Sequence, residues 1–339
     1  SVRESDTVAR MGGDEFVVLL PSISDVSGVA RVAEAIVRNI SQTIVIGSHE
    51  LDVTPSVGVA MFPQDGNNAN VLLKNADTAM YKAKSSGRAC YEIFNSELET
   101  KAINDLQVEN ELRVALRRGE LQLHYQPQVC LTTGQMIGIE ALIRWNHPTK
   151  GMISPAAFIP IAESTGLILP ISEWIIKTAC RECLDLQKRT GTALMLAINL
   201  SPRQLEKGRL CNMLREILQQ TGFAPQNLEL EITEGVLMEH IEDAKVILNE
   251  IQSLGVKIAI DDFGTGFSSL SYLTQLPINT LKIDRGFVQK VVNNVRDAAV
   301  VNAILALAQS LDMRVIAEGV ETHDQLRYLL QRQCSAAQG

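Results

Sequence analysis

From residue 119 onward the sequence predicts a (β/α)8 TIM-like barrel, and a smaller α+β domain precedes it. Short, β-branched strand-like runs alternate with amphipathic helix-like runs, which is the order typical of parallel α/β folds. The 339 residues suffice for two domains, and a hydrophobic content of 46% supports a sizeable core. The predicted barrel strands are Leu121–Gln126, Met136–Trp145, Ala193–Leu200, Leu228–Ile232, Val256–Asp261, Thr280–Asp284, Arg314–Ala317 and Ser335–Ala337.

Helices are predicted between most of these strands, and one more connects the two domains. The predicted barrel helices are Ile171–Gln187, Arg203–Gln220, Ile241–Leu254, Asp297–Ser310 and Asp324–Gln331. No helix separates the first two strands, so we expect those strands to pair antiparallel. A charged stretch with one apolar side predicts a linker helix over residues 96–118. The expected domains are therefore residues 1–95, the linker helix, and residues 119–339.

The first domain begins with a strand, a tight turn and a second strand. Gly12 and Gly13 form the turn, and a Gly-Gly turn lets backbone N–H groups approach a phosphate closely. Asp14 and Glu15 at its tip could hold a cation, although a plain hairpin explains them as well. The remaining predicted elements are helix Ser24–Ile40, strand Val53–Phe62, helix Leu72–Lys84 and strand Ala89–Phe94.

Charge and composition exclude several classes of protein. The formal net charge of −8 argues against a DNA or RNA polymer as partner, because such proteins are normally basic. No apolar run is long enough to span a bilayer. Six scattered cysteines, including a C-x-x-C at Cys180 and Cys183 inside a predicted helix, fit the buried thiols of a cytosolic protein. We therefore expect cytoplasmic modules, while a membrane anchor upstream stays open.

Carboxylates and other polar side chains occur at the ends of most barrel strands. The fifth strand leads into Asp261, Asp262, Gly264 and Gly266, which alone would fit a turn as well as a site. In parallel α/β folds, however, chemistry is placed at the carboxyl ends of the strands. The full set of such residues is Glu140, Asn199, Glu231, Glu234, Asp261, Asp262, Lys282, Glu318, Glu321 and Gln338.

Electrostatics predicts what this rim can do. Two like charges about 4 Å apart cost roughly 4 kcal/mol at an effective dielectric near 20, so converging carboxylates must bind protons or cations. Oxygen ligands with one amide favour Mg²⁺ or Mn²⁺. A pair of such ions could bridge a phosphate and activate a water. Lys282 could orient that water or steady the developing charge.

The first domain resembles GGDEF domains, the diguanylate cyclases. Arg10 to Phe16, with Gly12, Gly13, Asp14, Glu15 and Phe16, is similar to the family signature, and residues 76–84 resemble its C-terminal helix. The resemblance implies metal binding and catalysis by Asp14 and Glu15, and an inhibitory product site at Arg3 and Asp6. Family members begin with a longer N-terminal half, so we expect the segment as given to make no cyclic di-GMP.

The second domain resembles EAL domains, phosphodiesterases of cyclic di-GMP, over about residues 105–339. The similar motifs, in family order, are Glu140–Trp145, Asn199–Ser201, Glu231–Glu234, Asp261–Gly266, Lys282–Asp284 and Glu318–Glu321. The resemblance implies hydrolysis of cyclic di-GMP to linear pGpG with two Mg²⁺ or Mn²⁺ ions per site.

The resemblance also implies a role for each motif residue. Glu140, Asn199, Glu231 and Asp261 would bind one metal, and Asp261 would bridge to a second beside Asp262 and Glu318. The residues expected to serve catalysis are Glu140, Lys282, Glu234 and Glu318, with the formal base left open. Arg144 and Gln338 would contact substrate or complete the rim, and Glu234 and Glu321 would hold the loop after the fifth strand.

Some features depart from the family pattern. Gly286 stands where Ser is usual, Ser335 stands where Asp is common, and the closing helix of the barrel is absent, so we expect lowered stability. Two other functions stay open: a cyclic di-GMP receptor without hydrolysis, or a regulatory EAL part of a full-length cyclase. A homodimer could form through Ser268, Leu270, Tyr272 and Leu273, although packing against the barrel explains these residues equally.

Overall fold

The computed structural model divides the chain into two units, Ser1–Asn110 and Glu111–Gly339. It describes all residues except 1, 4, 22, 24, 47, 48, 52, 86, 88, 206–208, 240 and 267–272. A helix spans Ser96–Arg118, where one was predicted, and the division between the units falls inside it, so the predicted domain bounds stay predictions. Within the described part of the chain, no helix is long and apolar enough to cross a membrane.

The described part of the first unit contains the predicted hairpin, a second short antiparallel pair, a short parallel pair, two helices and the first part of a third, which continues into the second unit. Its elements are β1 (Thr7–Gly12), β2 (Glu15–Leu19), α1 (Val26–Ile40), β3 (Ile44–Ile46), β4 (His49–Leu51), β5 (Ser56–Val59), α2 (Ala69–Ser85), β6 (Cys90–Ile93) and α3 (Ser96–Arg118). Strands β1 and β2 pair antiparallel, as predicted, and β5 pairs parallel with β6.

One expectation for this unit was wrong, and one pair of strands was not predicted. The antiparallel pair β3–β4 was missed, because strands of three residues carry too little periodicity to recognise. The strand predicted over Val53–Phe62 is confined to Ser56–Val59, since prolines at 55 and 63 lack the N–H group that a strand ladder needs.

The second unit is a barrel of strands surrounded by helices. Its strands are β7 (Leu121–Cys130), β8 (Met136–His147), β9 (Gly151–Ile153), β10 (Met195–Asn199), β11 (Leu228–Thr233), β12 (Lys257–Phe263), β13 (Thr280–Ile283), β14 (Arg314–Glu318) and β15 (Ala336–Gln338). Its helices are α4 (Pro155–Thr165), α5 (Ile168–Thr190), α6 (Arg209–Thr221), α7 (Glu234–Glu239), α8 (Ile241–Ser253), α9 (Arg285–Lys290), α10 (Val295–Ser310) and α11 (His323–Gln331).

Eight of these strands close the barrel in the order β7-β8-β10-β11-β12-β13-β14-β15, and β15 pairs back onto β7. Strand β7 runs antiparallel to both neighbours, as expected for β7 and β8, and the remaining pairs around the ring are parallel. Strand β9 pairs with β8 outside the ring. The predicted fold class is therefore confirmed.

The segment between β10 and α6 differs from the prediction of one helix over Arg203–Gln220. A 3₁₀ turn occupies Pro202–Gln204, and α6 begins only at Arg209. The Ser201 N–H donates to the side-chain oxygen of Gln204, which closes the turn locally. The short helices α4, α7 and α9 were also not predicted, because two of them span fewer than two turns and α4 contains Pro160.

Successive side chains of β8 point alternately to the hydrophobic core outside the barrel and to the polar site inside it. Trp145 is fully buried and meets Phe158 of α4 edge-on, with ring centroids 5.5 Å apart. Because successive strand side chains face opposite sides, Glu140 and Arg144 lie on the other face, inside the barrel. The outward face thus packs under helices while the inward face carries the polar groups.

Candidate active site

The polar residues of the barrel interior are stacked in two layers at the carboxyl ends of the strands. In a barrel of this kind, alternate strands contribute the four side chains of one layer. The strand registers place the upper layer at Gln126, Asn199, Asp261 and Glu318, and the layer below it at Glu140, Glu231, Lys282 and Gln338. Nine of the ten rim residues predicted from sequence are therefore brought to one end of the barrel, either within these layers or, for Asp262 and Glu234, directly beside them.

Lys282 is the centre of this cluster. Its side chain is fully buried, and its Nζ lies 2.7 Å from Glu231, 2.8 Å from Glu318 and 3.2 Å from both Glu140 and Asp261. Burial opposes the charged form, but attraction to Glu231 and Glu140 outweighs it and raises the pKa of Lys282 well above its ordinary value. One ammonium thus faces four carboxyl groups, which leaves negative charge in excess.

The carboxyl groups divide according to their surroundings. Full burial raises the pKa of Glu231 well above its usual range. Burial also raises the pKa of Glu318 to about 7, and burial together with Asp261 raises that of Asp262. The pKa of Glu140 is lowered, because Lys282 and two side-chain amides outweigh its burial. Burial thus favours the protonated form of these three carboxyl groups, and a bound cation would favour the ionised form.

Glu140 is held by three donors. The Nδ2 of Asn199 donates to one carboxylate oxygen at 2.7 Å, and Lys282 and the Nε2 of Gln338 donate to the other. Gln338 also donates to Gln126, at 3.2 Å. The site residues predicted on strands β8, β10 and β15 are thus in direct contact.

The sequence predicted that the fifth barrel strand ends at Asp261, and this was wrong. Strand β12 continues to Phe263, and a bulge against β13 lies between Ile260 and Phe263. Asp262 has a φ of 52°, in the left-handed region that non-glycine residues seldom adopt. The bulge brings carboxylate oxygens of Asp261, Asp262 and Glu318 within 4.8 Å of one another.

Two sets of oxygen-bearing side chains can be distinguished in this cluster, and Lys282 contacts members of both. One comprises Asp261, Asp262 and Glu318. The other surrounds Glu140 and Glu231, where one oxygen of Glu231 and one of Gln338 are buried acceptors without a hydrogen-bond partner in the described structure. Buried acceptors of this kind require a partner. The donor set fits hard divalent cations, so the acidic cluster is a candidate metal site.

Asp284 belongs to the Lys282–Asp284 motif, but no role of its own was predicted for it from the sequence. It follows β13, caps α9 by accepting the Gly286 N–H at 2.9 Å, and approaches Asp262 closely enough to contribute to the raised pKa of that residue. The available signal was its position at a strand end, directly after Lys282 and Ile283. Its capping pattern gave it an ordinary structural explanation.

Glu234 contacts the segment after β12, and its role in stabilising that loop stays a prediction. Its carboxylate accepts the backbone N–H of Gly264 at 2.8 Å and that of Gly266 at 3.3 Å. Glu321 is exposed, and its backbone N–H donates to Gln325 at 2.8 Å. The loop role of the Glu321 side chain stays a prediction.

Gly266 lies so close to Glu234 that a larger residue would disturb this contact. A Cβ built on Gly266 would lie 2.7 Å from a Glu234 oxygen, below any ordinary contact distance. We expect Gly266→Ala to displace the segment beside Asp261 and Asp262 and to lower turnover of substrate by about 10- to 100-fold, since displacements of about 1 Å can have that effect.

Gly235→Ala is the matched control for this substitution. Gly235 neighbours Glu234 in α7, and among the described residues nothing lies within 4 Å of a Cβ built there. Steady-state kinetics and melting temperatures of both variants make the comparison. Equal turnover for Gly266→Ala and Gly235→Ala would contradict the expected effect.

Arg144 is half-buried on the inward face of β8, and its Nη1 donates to the Ile143 carbonyl at 2.8 Å. It lies four residues beyond Glu140 on the same face, toward the mouth of the barrel. The structure therefore places a cation beside the acidic cluster on the side from which an anion would enter.

In the first unit, the glycine turn forms as predicted. Gly13 has a φ of 53°, and the Arg10 guanidinium donates to its carbonyl at 2.6 Å. Gly12, Asp14, Glu15 and Phe16 are exposed. The Asp6 carboxylate accepts a hydrogen bond from the backbone N–H of Arg3 at 2.7 Å, so the two residues of the predicted inhibitory site contact each other. Metal, substrate and product binding by these residues stay predictions.

Comparisons with known proteins agree with this geometry. The family model for the EAL domain matches residues 109–339, and that for the diguanylate cyclase GGDEF domain matches residues 1–90. The bifunctional diguanylate cyclase/cyclic di-GMP phosphodiesterase MucR of Pseudomonas aeruginosa is 44% identical over 100% of the chain and 49% of its own length. The cyclic di-GMP phosphodiesterase NbdA of the same species is 40% identical over 100% of the chain and 43% of its length. The chain thus spans about half the length of these relatives.

Solved structures show the same barrel. One is a MucR phosphodiesterase in complex with c-di-GMP, which is 45% identical to this chain with a TM-score of 0.66. The matched region covers 69% of this chain and 94% of the MucR chain. The EAL enzyme Bd1971, bound to cAMP and cyclic di-GMP, is 39% identical, with a TM-score of 0.66 over 70% of this chain and 65% of its own.

Proposed function

Since the chain belongs to the EAL domain family and carries a GGDEF segment ahead of that domain, we propose that it is a metal-dependent phosphodiesterase that hydrolyses cyclic di-GMP to linear pGpG in bacterial second-messenger signalling. The observation that carries this proposal is the two-layer cluster of oxygen ligands around Lys282 at the mouth of the barrel. Two relatives named as cyclic di-GMP phosphodiesterases and a related structure in complex with c-di-GMP support it.

Two Mg²⁺ or Mn²⁺ ions would bind to the two ligand groups. Glu140, Asn199, Glu231 and Asp261 would hold one, and Asp261, Asp262 and Glu318 the other. The acidic, all-oxygen character of both groups supports these ions over softer metals. When bound, such ions polarise a phosphate oxygen and lower the pKa of a coordinated water.

The residues of the chain would position the reactants. Arg144 would receive a phosphate at the mouth of the barrel, where the guanidinium offsets the negative charge of the substrate. Gln338 and Asn199 fix the orientation of Glu140. Lys282 would keep four carboxyl groups in place and supply positive charge where negative charge develops. Glu234 would keep the Gly264–Gly266 segment against the site.

Metal binding should depend on pH in a direction that the pKa shifts determine. Burial raises the pKa of Glu318 to about 7, so in the metal-free protein this carboxyl group binds a proton as the pH falls below that value. A cation must displace that proton, so affinity increases as the pH rises through 7. We expect the apparent Mn²⁺ affinity to increase roughly 10-fold from pH 6 to pH 8, measured by calorimetric titration of chelator-treated protein.

Glu318→Gln provides the control for the pH dependence, because an amide has no proton to displace. Its Mn²⁺ affinity should be lower at both pH values and should change less between them. An affinity of the unsubstituted protein that stays constant from pH 6 to pH 8 would contradict the prediction.

Turnover itself is tested by incubating the chain with cyclic di-GMP and separating the products chromatographically. The proposal requires pGpG in the presence of Mg²⁺ or Mn²⁺ and none after chelation. Binding of cyclic di-GMP without product in Mg²⁺ would instead identify a receptor. If the folded protein neither binds nor hydrolyses cyclic di-GMP, both the phosphodiesterase and the receptor function are overturned.

Homodimerisation and a cytoplasmic location stay predictions. Of the residues expected at the dimer interface, 268, 270 and 272 lie outside the described part of the structure, and Leu273 is buried. Sedimentation of the chain with and without cyclic di-GMP would test the dimer directly.

A further inference from the structure

Glu163 lies outside every motif named above, yet it contacts the segment that carries Asn199. We propose that Glu163, acting through Ser201, is a positioning residue that fixes the Asn199 amide for metal binding. The inference rests on the proposed function, because it assumes that Asn199 is a ligand.

The contact itself is short and partly shielded from water. The Ser201 hydroxyl donates to a Glu163 oxygen at 2.7 Å. Ser201 is buried and Glu163 is half-buried. A hydrogen bond to a carboxylate is among the stronger kinds, and partial burial protects it from competition by solvent.

Ser201 is two residues beyond Asn199, so its position determines how the chain leaves β10. The intervening Leu200 N–H donates to the Glu231 carbonyl at 2.8 Å, which aligns this segment with the neighbouring strand. The Ser201 N–H is bound by Gln204 at 3.0 Å. The backbone from Asn199 to Ser201 is therefore fixed on one side by the barrel and on the other by Glu163.

Glu163 is itself on a rigid support. It belongs to α4, whose Phe158 packs edge-on against the fully buried Trp145 of β8. A second contact joins the same two segments, because Arg203 donates to the Ser164 carbonyl at 3.1 Å. Helix α4 thus braces the segment after β10 against the strand that carries Glu140.

This bracing matters because Asn199 must satisfy two partners at once. Its Nδ2 donates to Glu140 at 2.7 Å, which leaves the amide oxygen for a cation. A rotation of the Asn199 backbone would break this division of roles. Groups that orient a metal ligand typically contribute 10- to 100-fold in metal affinity or activity.

The test compares Glu163→Ala with Glu163→Gln. We expect Glu163→Ala to weaken Mn²⁺ binding by chelator-treated protein about 10-fold, at the lower end of that range because Glu163 acts through Ser201. Glu163→Gln keeps an oxygen that can accept the Ser201 hydroxyl, so its affinity should stay within about twofold of the unsubstituted protein. Glu173→Ala, at an exposed position on α5, serves as the matched control.

A double-mutant cycle with Ser201→Ala identifies the route. Ser201→Ala should weaken Mn²⁺ binding as much as Glu163→Ala does, and the double variant should bind no more weakly than either single variant. Effects that multiply would overturn the proposal, as would a Glu163→Ala affinity equal to that of Glu173→Ala, or a Glu163→Gln variant as impaired as Glu163→Ala.

Metal affinity separates this inference from the proposed function. If the unsubstituted protein binds Mn²⁺ without hydrolysing cyclic di-GMP, the phosphodiesterase proposal fails while the Glu163 comparison can still be made. If hydrolysis occurs but Glu163→Ala binds Mn²⁺ normally, only the positioning role fails. Melting temperatures measured in parallel detect a variant that has not folded.

Discussion

Glu140→Gln should lower the rate of cyclic di-GMP hydrolysis by about 1000-fold or more, beyond the 10- to 100-fold typical of groups that only support a metal ligand. Glutamine has nearly the same shape but no negative charge for a cation. It also places an NH2 group where three donors now converge, from Asn199, Lys282 and Gln338. Because the new NH2 group would face other hydrogen-bond donors, at least one hydrogen bond in this buried site would be lost, which is unfavourable.

Single-turnover measurements with excess enzyme and Mn²⁺ would separate loss of chemistry from loss of substrate binding. Glu216→Gln, at an exposed position of α6, is the matched control and should hydrolyse cyclic di-GMP normally. A Glu140→Gln rate within 10-fold of that control, in folded protein, would rule out Glu140 as an essential ligand.

The sequence predicted the barrel well because most of its strands are short, apolar and followed by a helix. The eight strands of the ring and their order are as expected, and their boundaries moved by only a few residues. The rim could also be predicted. Glu140, Asn199 and Glu231 lie on strands in which side chains alternate between the two faces, so the inward-facing residues can be identified from the sequence.

Features that depend on three-dimensional packing could not be predicted in this way. The bulge at Asp262 requires a positive φ, and an Asp-Asp pair in a sequence carries no signal that predicts one. Lys282 was expected to assist a water, but only the side-chain distances show that its ammonium pairs with four carboxyl groups. Glu163 was missed because α4 was missed, and because its partner lies 38 residues further along the chain.

Lys282→Met should have the largest effect on folding stability. Methionine fills a similar volume but removes the ammonium from Glu231, Glu318, Glu140 and Asp261. Removing one partner of a buried ion pair typically costs about 3–5 kcal/mol, because the remaining charges are uncompensated. We expect a loss of that size in the unfolding free energy of metal-free protein, together with loss of hydrolysis.

The sign of the pH effect follows from the carboxyl groups that remain. Without Lys282 they repel one another, so protonation favours the folded state, and stability should fall as the pH rises from 5 to 8. The Lys282 ammonium of the unsubstituted protein stays charged over that range, since its pKa is raised well above the ordinary lysine value. The difference between the two proteins should therefore be larger at pH 8 than at pH 5.

Urea unfolding in chelator and in excess Mn²⁺ measures both effects. Because a cation can replace part of the missing positive charge, Mn²⁺ should recover some of the lost stability of Lys282→Met, but not hydrolysis. Lys188→Met, at an exposed position of α5, is the matched control and should change stability by less than about 1 kcal/mol. If Lys282→Met were as stable as this control in the absence of metal, the four carboxyl groups would have to be neutralised by protons instead, and the ammonium could not be what holds the site together.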